Sequence, residues 1–516
     1  MLSTVISRAQ VGIDSPAVIV ETHISSGLPK TTIVGLPETA VKESRDRVRS
    51  ALLNSHFEYP DGRITINLAP ADLIKLGTRF DLPIALGILV ASGQLPERAL
   101  EQFEAIGELA LDGRLRSISG CVGASIYCHR DGHSLLLPED NAAEAALVDG
   151  ACVIGCRSLL AVCAHLRGTH LIEPASGAEL RTSDEPPDLA GLDDVRGQYA
   201  AKRVLGIAAA GGHNVLMSGP PGVGKTMLAR RLPTLLPALT KQEQLEVMAI
   251  RSAAGDFPAS MQSMRPFRAP HRTASAAALV GGGSHPRPGE ISRAHRGVLF
   301  LDELPEWPRK SIELLREPIE LGRVMISRAA AQIEFPARFQ LIAAMNPCPC
   351  GYSETEHISC RCTPAQIERY RAQLSGPMLD RFDMLCTLDL PDRITNLGTQ
   401  STQAMPVDAL TRAVTTARQR QLERQGKLNA ELSVEETERL LNPLSTALAT
   451  LERVATAYRL SLRACHRIMR TARTIADLSA QPAVEPADVL EACSYRTSAL
   501  HQKKGGVDHD TARSRP

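Results

Sequence analysis

Hydrophobic and polar positions divide the chain into three regions of different period. Up to about residue 170, short β-branched runs alternate with helical stretches. Ala17 to Ile24 and Arg63 to Leu68 predict strands, the second with the cleaner period of two. Glu38 to Leu53 has helical spacing with its charges on one face, and Asp81 to Ser92 predicts an apolar helix. In the middle region, Asn214 to Met217, Gly297 to Leu301 and Phe339 to Met345 are apolar runs that predict buried strands. Leu189 to Gly211 predicts an entry loop and a helix before the first of them, and Met227 to Leu232 a helix after it. From Asp408 onward the pattern is helical, in segments Asp408 to Glu423, Ser433 to Leu440, Pro443 to Leu460, Arg463 to Ala480 and Glu485 to Ala499. Glu173 to Pro187 is polar without period and predicts a linker, and the chain after His501 predicts a disordered tail.

The first chemistry falls on the earliest of the buried strands. Gly219-Pro220-Pro221-Gly222-Val223-Gly224-Lys225-Thr226 lies between that strand and the next helix. Strand, glycine loop and helix in this order make a phosphate-binding loop. Its glycines let backbone N–H groups turn toward phosphates, and the helix N-terminus adds its positive dipole end. Lys225 is expected to reach the β- and γ-phosphates of ATP, and Thr226 to hold Mg²⁺. Asp302 and Glu303 end another strand, where Asp302 suits support of Mg²⁺ and Glu303 orientation and activation of the attacking water. Asn346 ends a third; it suits a contact to the γ-phosphate or the water, the plainer alternative being a turn before Pro347. Arg381, in the segment Met378 to Asp383, stands at a predicted subunit edge, where arginine can stabilise a neighbour's transferred phosphoryl group. Arg463 opens a helix of the last region and is the candidate second phosphate sensor. Taken singly, each arginine is as well explained by a surface ion pair or a solvated helix face.

Composition constrains partners and compartment. The 516 residues carry 58 Lys and Arg against 57 Asp and Glu, a net charge of +1, so nucleic-acid binding has to come from local patches. Between Arg265 and Arg296 there is one: Arg265, Arg268, Arg272, Arg287, Arg293 and Arg296, with His271, His285 and His295, against the single acid Glu290. Such a patch suits phosphate contacts without sequence preference, or else ATP, subunit pairs or a solvated face. Aromatics at 3% argue against a surface that stacks many bases. Twelve cysteines without a signal-peptide pattern predict reduced thiols in a cytoplasmic protein. No apolar run is long enough to span a bilayer.

Cys348, Cys350, Cys360 and Cys362 give C-x-C…C-x-C, a set that suits a tetrahedral structural Zn²⁺. The spacing is tighter than the usual C-x₂-C. His357 is an alternative ligand, and four free thiols are the alternative state.

Two resemblances add to these readings. Lys75 to Leu82 followed by Ile106 to Arg116 resembles the Lon-type protease domain. That family's serine would fall at about Arg79 and its lysine in Cys121 to Ser125; neither is present, so a protease fold without protease chemistry is expected. The phosphate loop, acidic strand, Asn346, Arg381 and Arg463, in that order, resemble the AAA+ ATPases, on their magnesium-chelatase and MCM-helicase side. Arg265 to Arg272 with Gly281 to Ile291 resembles that clade's helix-2 insert, and Leu321 to Phe335 its hairpin before the first sensor, with Arg328 near the tip. To about Ala499 the whole chain is similar to the ComM/YifB family of magnesium-chelatase-like proteins.

The family resemblance implies ATP-driven branch migration by a hexameric ring on single-stranded and branched DNA during natural transformation. It also implies a lid that rides on bound nucleotide and carries Arg463. The alternative is a chelatase-type motor subunit that remodels a protein partner for metal insertion. The expected fold is α/β. Residues 1–172 form the Lon-like domain, 173–188 the linker, 189–392 the ATPase core with a Cys-rich insertion at 347–363, 393–500 the helical lid and 501–516 the tail.

Overall fold

The computed structural model describes residues 1–176, 191–195, 197–256, 264–283, 286–327, 332–355, 358–389, 406–439 and 446–504. The first unit is built on a seven-stranded sheet in the order Lys30–Val34, Arg63–Ala69, Ala17–Ser25, Leu2–Arg8, Phe103–Ala105, Ser134–Pro138, Val153–Cys156. Ala17–Ser25 runs antiparallel to both of its neighbours, with Val20 opposite Val5 and Leu68. Val18 and Val20 point into the core while Ile19 is exposed, so the alternation that composition blurs is present in space. Every residue of the helix Asp81–Ala91 is buried, as a helix apolar on all sides has to be. Gly87 allows its close approach to the sheet, since a Cβ there would lie 2.5 Å from Thr22 Oγ1.

The second unit holds a five-stranded sheet in the order Phe267–Arg268, Val298–Leu301, Gln340–Met345, Val215–Ser218, Met384–Thr387. All its pairings are parallel. Parallel sheets are covered on both faces, which is why these strands read as unbroken apolar runs. One face packs Val215, Phe300 and Ile342 against Ile207 and Leu228 of the helices Tyr199–Gly211 and Lys225–Leu235. The other packs Leu299, Leu301 and Leu341 with Leu304 and Trp307. Parallel order also gives the sheet two distinct ends. The strands start after Asn214, Gly297, Phe339 and Asp383, and finish before Gly219, Asp302, Asn346 and Leu388.

The helix Lys241–Ala254 joins the two units. Thr240 and Glu243 form a capping box at its start, a device worth about 1 kcal/mol, and Gly255 with φ 73° closes its end. Its Met248 and Ala249 pack on Val122, Leu147 and Val148 of the first unit. The Gly120 N–H donates to Ser252 O at 2.9 Å, and Gln10 Nε2 to Ala253 O at 3.3 Å. The helix Cys121–Arg130, where the Lon-like lysine would stand, is therefore a docking element.

Among the described residues, five α-helices follow the sheet: Val407–Gln425, Val434–Arg439, Thr446–Tyr458, Leu462–Leu478 and Pro486–Lys504. They are pinned to the core where Arg467 Nη1 donates to Asp383 Oδ1 (3.1 Å), Arg496 Nη1 to Phe382 O (2.9 Å) and Arg418 Nε to Ala209 O (2.7 Å). The last helix runs to Lys504, beyond the predicted boundary at residue 500. No strong helix breaker occurs before Gly505 and Gly506. Residues 505–516 and most of the predicted linker lie outside the described residues, as do residues 390–405. Among the described residues no helix is long and apolar enough to cross a membrane.

Candidate nucleotide site

The loop from Gly219 to Gly224 leaves the strand Val215–Ser218 and enters the helix at Lys225. Gly222 (φ 79°) and Gly224 (φ 98°) take left-handed conformations, which side chains other than glycine rarely adopt. Gly219 is constrained differently, since a Cβ there would lie 2.6 Å from Leu388 O. Lys225 Nζ donates to Gly219 O (2.6 Å), Pro220 O (2.9 Å) and Asn346 Oδ1 (3.0 Å). Burial lowers the Lys225 ammonium from its ordinary range, opposed by the charges of Asp302 and Glu303. Thr226 Oγ1 donates to Asp302 Oδ2 at 2.7 Å. A hydroxyl beside a carboxylate is the hard-oxygen set that Mg²⁺ takes. Lys225, Thr226, Asp302 and Asn346 thus converge at the finishing end of the parallel sheet.

Glu303 follows with φ 49°, a left-handed conformation unusual for a residue with a side chain. Its N–H donates to Asp302 Oδ1 at 2.9 Å, and its carboxylate receives Arg272 Nη1 at 2.5 Å. Nothing in the sequence spacing links Arg272 to Glu303.

Arg381 and Arg463 are elsewhere. Both line a cleft of about 730 Å³ that also borders Asn214, Gly297 and Phe339, the residues that precede the strands. Strand Met384–Thr387 lies parallel to Val215–Ser218 with Met384 opposite Val215, so Arg381 and the phosphate loop stand at opposite ends. Four residues of strand separate the ends by roughly 13 Å. Arg381 Nη2 pairs with Glu320 at 2.6 Å, while its buried Nε has no partner among the described residues. Burial first, then Arg467, Arg316 and Arg463 nearby, lower its guanidinium from the ordinary value. Arg463 is exposed. In this chain neither arginine rides on the phosphate loop that precedes it.

The basic patch expected between Arg265 and Arg296 is largely neutralised, which corrects the reading of it as a free phosphate-tracking surface. Arg268 makes two bonds of 2.7 Å to Glu290, and Arg293 reaches Glu290 at 3.2 Å. Arg296 pairs with Glu246 at 2.8 Å, Arg265 with Glu243 at 3.4 Å, and Arg272 with Glu303. Three of those acids lie outside the sequence window that held the arginines, so counting charges within it overstated the excess. Arg287 is exposed and makes no side-chain hydrogen bond or ion pair among the described residues. Arg328 and His285 lie outside the described residues.

The sulfurs of Cys348, Cys350, Cys360 and Cys362 all lie within 4.8 Å of one another. N–H groups of Arg361 and Tyr352 pull the Cys350 thiol down to about 6. His357 lies outside the described residues. Arg79, at the expected serine position, is buried, and donates to Arg8 O (3.3 Å), Gln10 Oε1 (3.1 Å) and Ser119 O.

Three family descriptions match parts of the chain. The description "Magnesium chelatase, subunit ChlI" matches residues 191–394, "Subunit ChlI of Mg-chelatase" residues 20–141, and "Magnesium chelatase, subunit ChlI C-terminal" residues 405–496. The YifB protein of Escherichia coli (strain K12) is 47% identical over 96% of this chain and 97% of its own length. Competence protein ComM of Haemophilus influenzae is 46% identical over 96% of this chain and 97% of its own. The magnesium-chelatase 38 kDa subunit of Cereibacter sphaeroides is 29% identical over 26% of this chain and 45% of its own.

Proposed function

The chain belongs to the ComM/YifB family of magnesium-chelatase-like proteins, with an α/β fold of AAA+ type, and on that premise we propose an ATP-driven ring motor that moves DNA. One observation carries the reading: the groups suited to ATP hydrolysis are divided between the two ends of a parallel sheet. Lys225, Thr226, Asp302, Glu303 and Asn346 serve the nucleotide on their own chain. Arg381 and Arg463, at the far end, serve the nucleotide of a neighbour. Each interface then joins unlike faces, the head-to-tail contact that closes into a ring, and the family resemblance makes that ring a hexamer.

In this mechanism the phosphate loop fixes the triphosphate while Lys225 bonds its outer oxygens. Thr226 and Asp302 would hold Mg²⁺, which would neutralise phosphate charge when bound. Glu303 orients the attacking water and accepts its proton, and Asn346 bonds the γ-phosphate or that water. The partner's arginines stabilise charge as the phosphoryl group leaves. The thiolates of Cys348, Cys350, Cys360 and Cys362 would hold a structural zinc ion.

The first unit is a Lon-like domain that has exchanged catalysis for docking. The residues around Arg268 and Gly281 act as the helix-2 insert, and Arg323–Ser327 with Gln332–Pro336 as the pre-sensor hairpin. Arg287 and Arg328 track DNA phosphates without sequence preference. The family resemblance makes the activity branch migration on single-stranded and branched DNA, in the cytoplasm, and 46% identity over 96% of the chain to a competence protein supports a place in natural transformation. A chelatase-type motor acting on a protein partner is the second reading, supported by the family descriptions but by a shorter relative.

ATPase rates without DNA, with single-stranded DNA and with branched DNA separate the two. Stimulation of several-fold, abolished in Lys225→Ala, supports the DNA motor. A rate indifferent to DNA turns the assignment to a protein partner.

A further inference from the structure

Three sulfur–sulfur separations in the cysteine cluster are 3.4, 3.7 and 3.5 Å (Cys348 to Cys350, Cys348 to Cys360, Cys350 to Cys360). Zn–S bonds of about 2.3 Å in a regular tetrahedron put the sulfurs ~3.8 Å apart, so the cluster has the dimensions of a ZnS₄ site. All four cysteines are free of disulfides. Four sulfur ligands leave no open position, which makes the site structural rather than catalytic and selects a thiophilic ion.

The position of the cluster gives it a further consequence. The loop begins at Pro347, directly after Asn346, whose Oδ1 accepts from Lys225. Its far side returns to the phosphate loop: at Gly351 (φ 90°) a Cβ would lie 2.5 Å from Pro221 Cδ. Its exit is fixed by the helix Pro364–Arg371, which starts in a capping box formed by Thr363 and Gln366. From that helix Arg371 Nε donates to Pro347 O at 3.2 Å and Nη2 pairs with Glu354 at 2.6 Å. The loop therefore touches the nucleotide site at two places, at Asn346 and at Pro221, and its own fold is closed by the four sulfurs.

We propose that a zinc ion on Cys348, Cys350, Cys360 and Cys362 is a strut of the ATP site, holding Asn346 and the Pro221 edge of the phosphate loop in register, so that nucleotide binding depends on metal occupancy. The inference rests on the reading that these thiolates bind zinc. The described residues of the loop form no helix or strand, so the bonds from Arg371 and the closure of the four sulfurs are what offset the ordering cost of its residues, about 1–2 kcal/mol each. Losing the metal frees both contacts at once.

The test uses the full chain grown with zinc supplied, elemental analysis, and binding of a fluorescent ATP analogue. One zinc per chain is expected. Cys360→Ser/Cys362→Ser, or removal of zinc by a mercurial thiol reagent, should weaken analogue binding at least ten-fold. After the mercurial is reversed with excess thiol, added zinc should restore it. Gly351→Val keeps all four ligands, and should retain zinc while still losing affinity. Normal nucleotide binding in zinc-free protein overturns the strut and leaves the zinc site standing. Absence of zinc, or iron in its place, overturns both. Failure of DNA to stimulate hydrolysis bears on the motor alone.

Discussion

Arg272 holds the carboxylate of Glu303 at 2.5 Å, from a segment that sequence alone assigns to a basic surface. Both side chains are about half exposed, so solvent screening limits what the pair adds to stability, to about 0–1 kcal/mol. Its weight lies in where it holds the carboxylate. In the proposed mechanism that carboxylate has to turn to the attacking water, and the ion pair competes for it. Arg272→Ala should raise the ATPase rate without DNA several-fold and shrink the further increase that DNA produces. A fall in the DNA-free rate would show instead that Arg272 orients Glu303 for the reaction.

Lys225→Ala and Glu303→Gln should separate binding from chemistry. Lys225 bridges the loop and Asn346, so its loss should weaken ATP binding and abolish turnover. Glu303 makes no hydrogen bond to Lys225 or Thr226, so Glu303→Gln should bind ATP normally and hydrolyse it at least ~100-fold more slowly. Binding titrations beside single-turnover rates make the comparison.

The division of the site between the ends of the sheet predicts complementation. Lys225→Ala and Arg381→Ala chains should each be inactive alone. In mixed rings, an Arg381→Ala chain supplies its intact Lys225 to the Arg381 of a Lys225→Ala neighbour. Random mixing in equal amounts restores about one interface in four, and ATPase activity should return accordingly. Mixtures as inactive as the single variants would place Arg381 in service to its own chain.

Asp383 predicts an acid-sensitive lid. Burial alone would raise its carboxyl, but the His213 ring at 3.6 Å, Arg467 and the Asn214 N–H outweigh burial and hold it well below the usual range. A carboxylate depressed on folding stabilises above its unfolded value of about 3.9, and that contribution is lost as pH falls below it. Asp383→Asn should cost about 3 kcal/mol or more at neutral pH, because Arg467 loses its partner in a buried setting. It should also flatten the dependence of melting temperature on pH between about 5 and 3. An unchanged pH profile would remove Asp383 as its cause.

Arg79, at the position where the Lon resemblance would put a serine, predicts an architectural role. Removing it strands the buried carbonyl of Arg8, a loss costing about 1–3 kcal/mol, and the half-buried one of Ser119. Arg79→Ser should destabilise the protein to urea and yield no ATP-dependent degradation of casein. Degradation would revive the protease reading.

The strands and helices were legible where burial is uniform or alternation clean, as in Arg63–Ala69 and Asp81–Ala91. The phosphate loop was legible because its chemistry is local. Within eight residues, glycines set the backbone and Lys225 and Thr226 follow at fixed offsets, whatever surrounds them. Asp302 and Asn346 were readable for a related reason, since a buried parallel strand delivers its next polar residue to one end of the sheet.

Other features depend on distances across the chain. Whether Arg268, Arg272 and Arg296 are free cations is decided by Glu290, Glu303 and Glu246, and two of those acids come from elements far away in sequence. The place of Arg381 and Arg463 is decided by strand direction and by the docking of the last helices, neither of which residue spacing encodes. The sequence by itself determined which groups can do phosphate chemistry, because backbone geometry over a few residues suffices for that. Only the tertiary structure decided which of them meet at the finishing end of the sheet, which lie at its other end, and that the cysteine loop leans on Pro221, because Coulomb and packing forces act through space rather than along the chain.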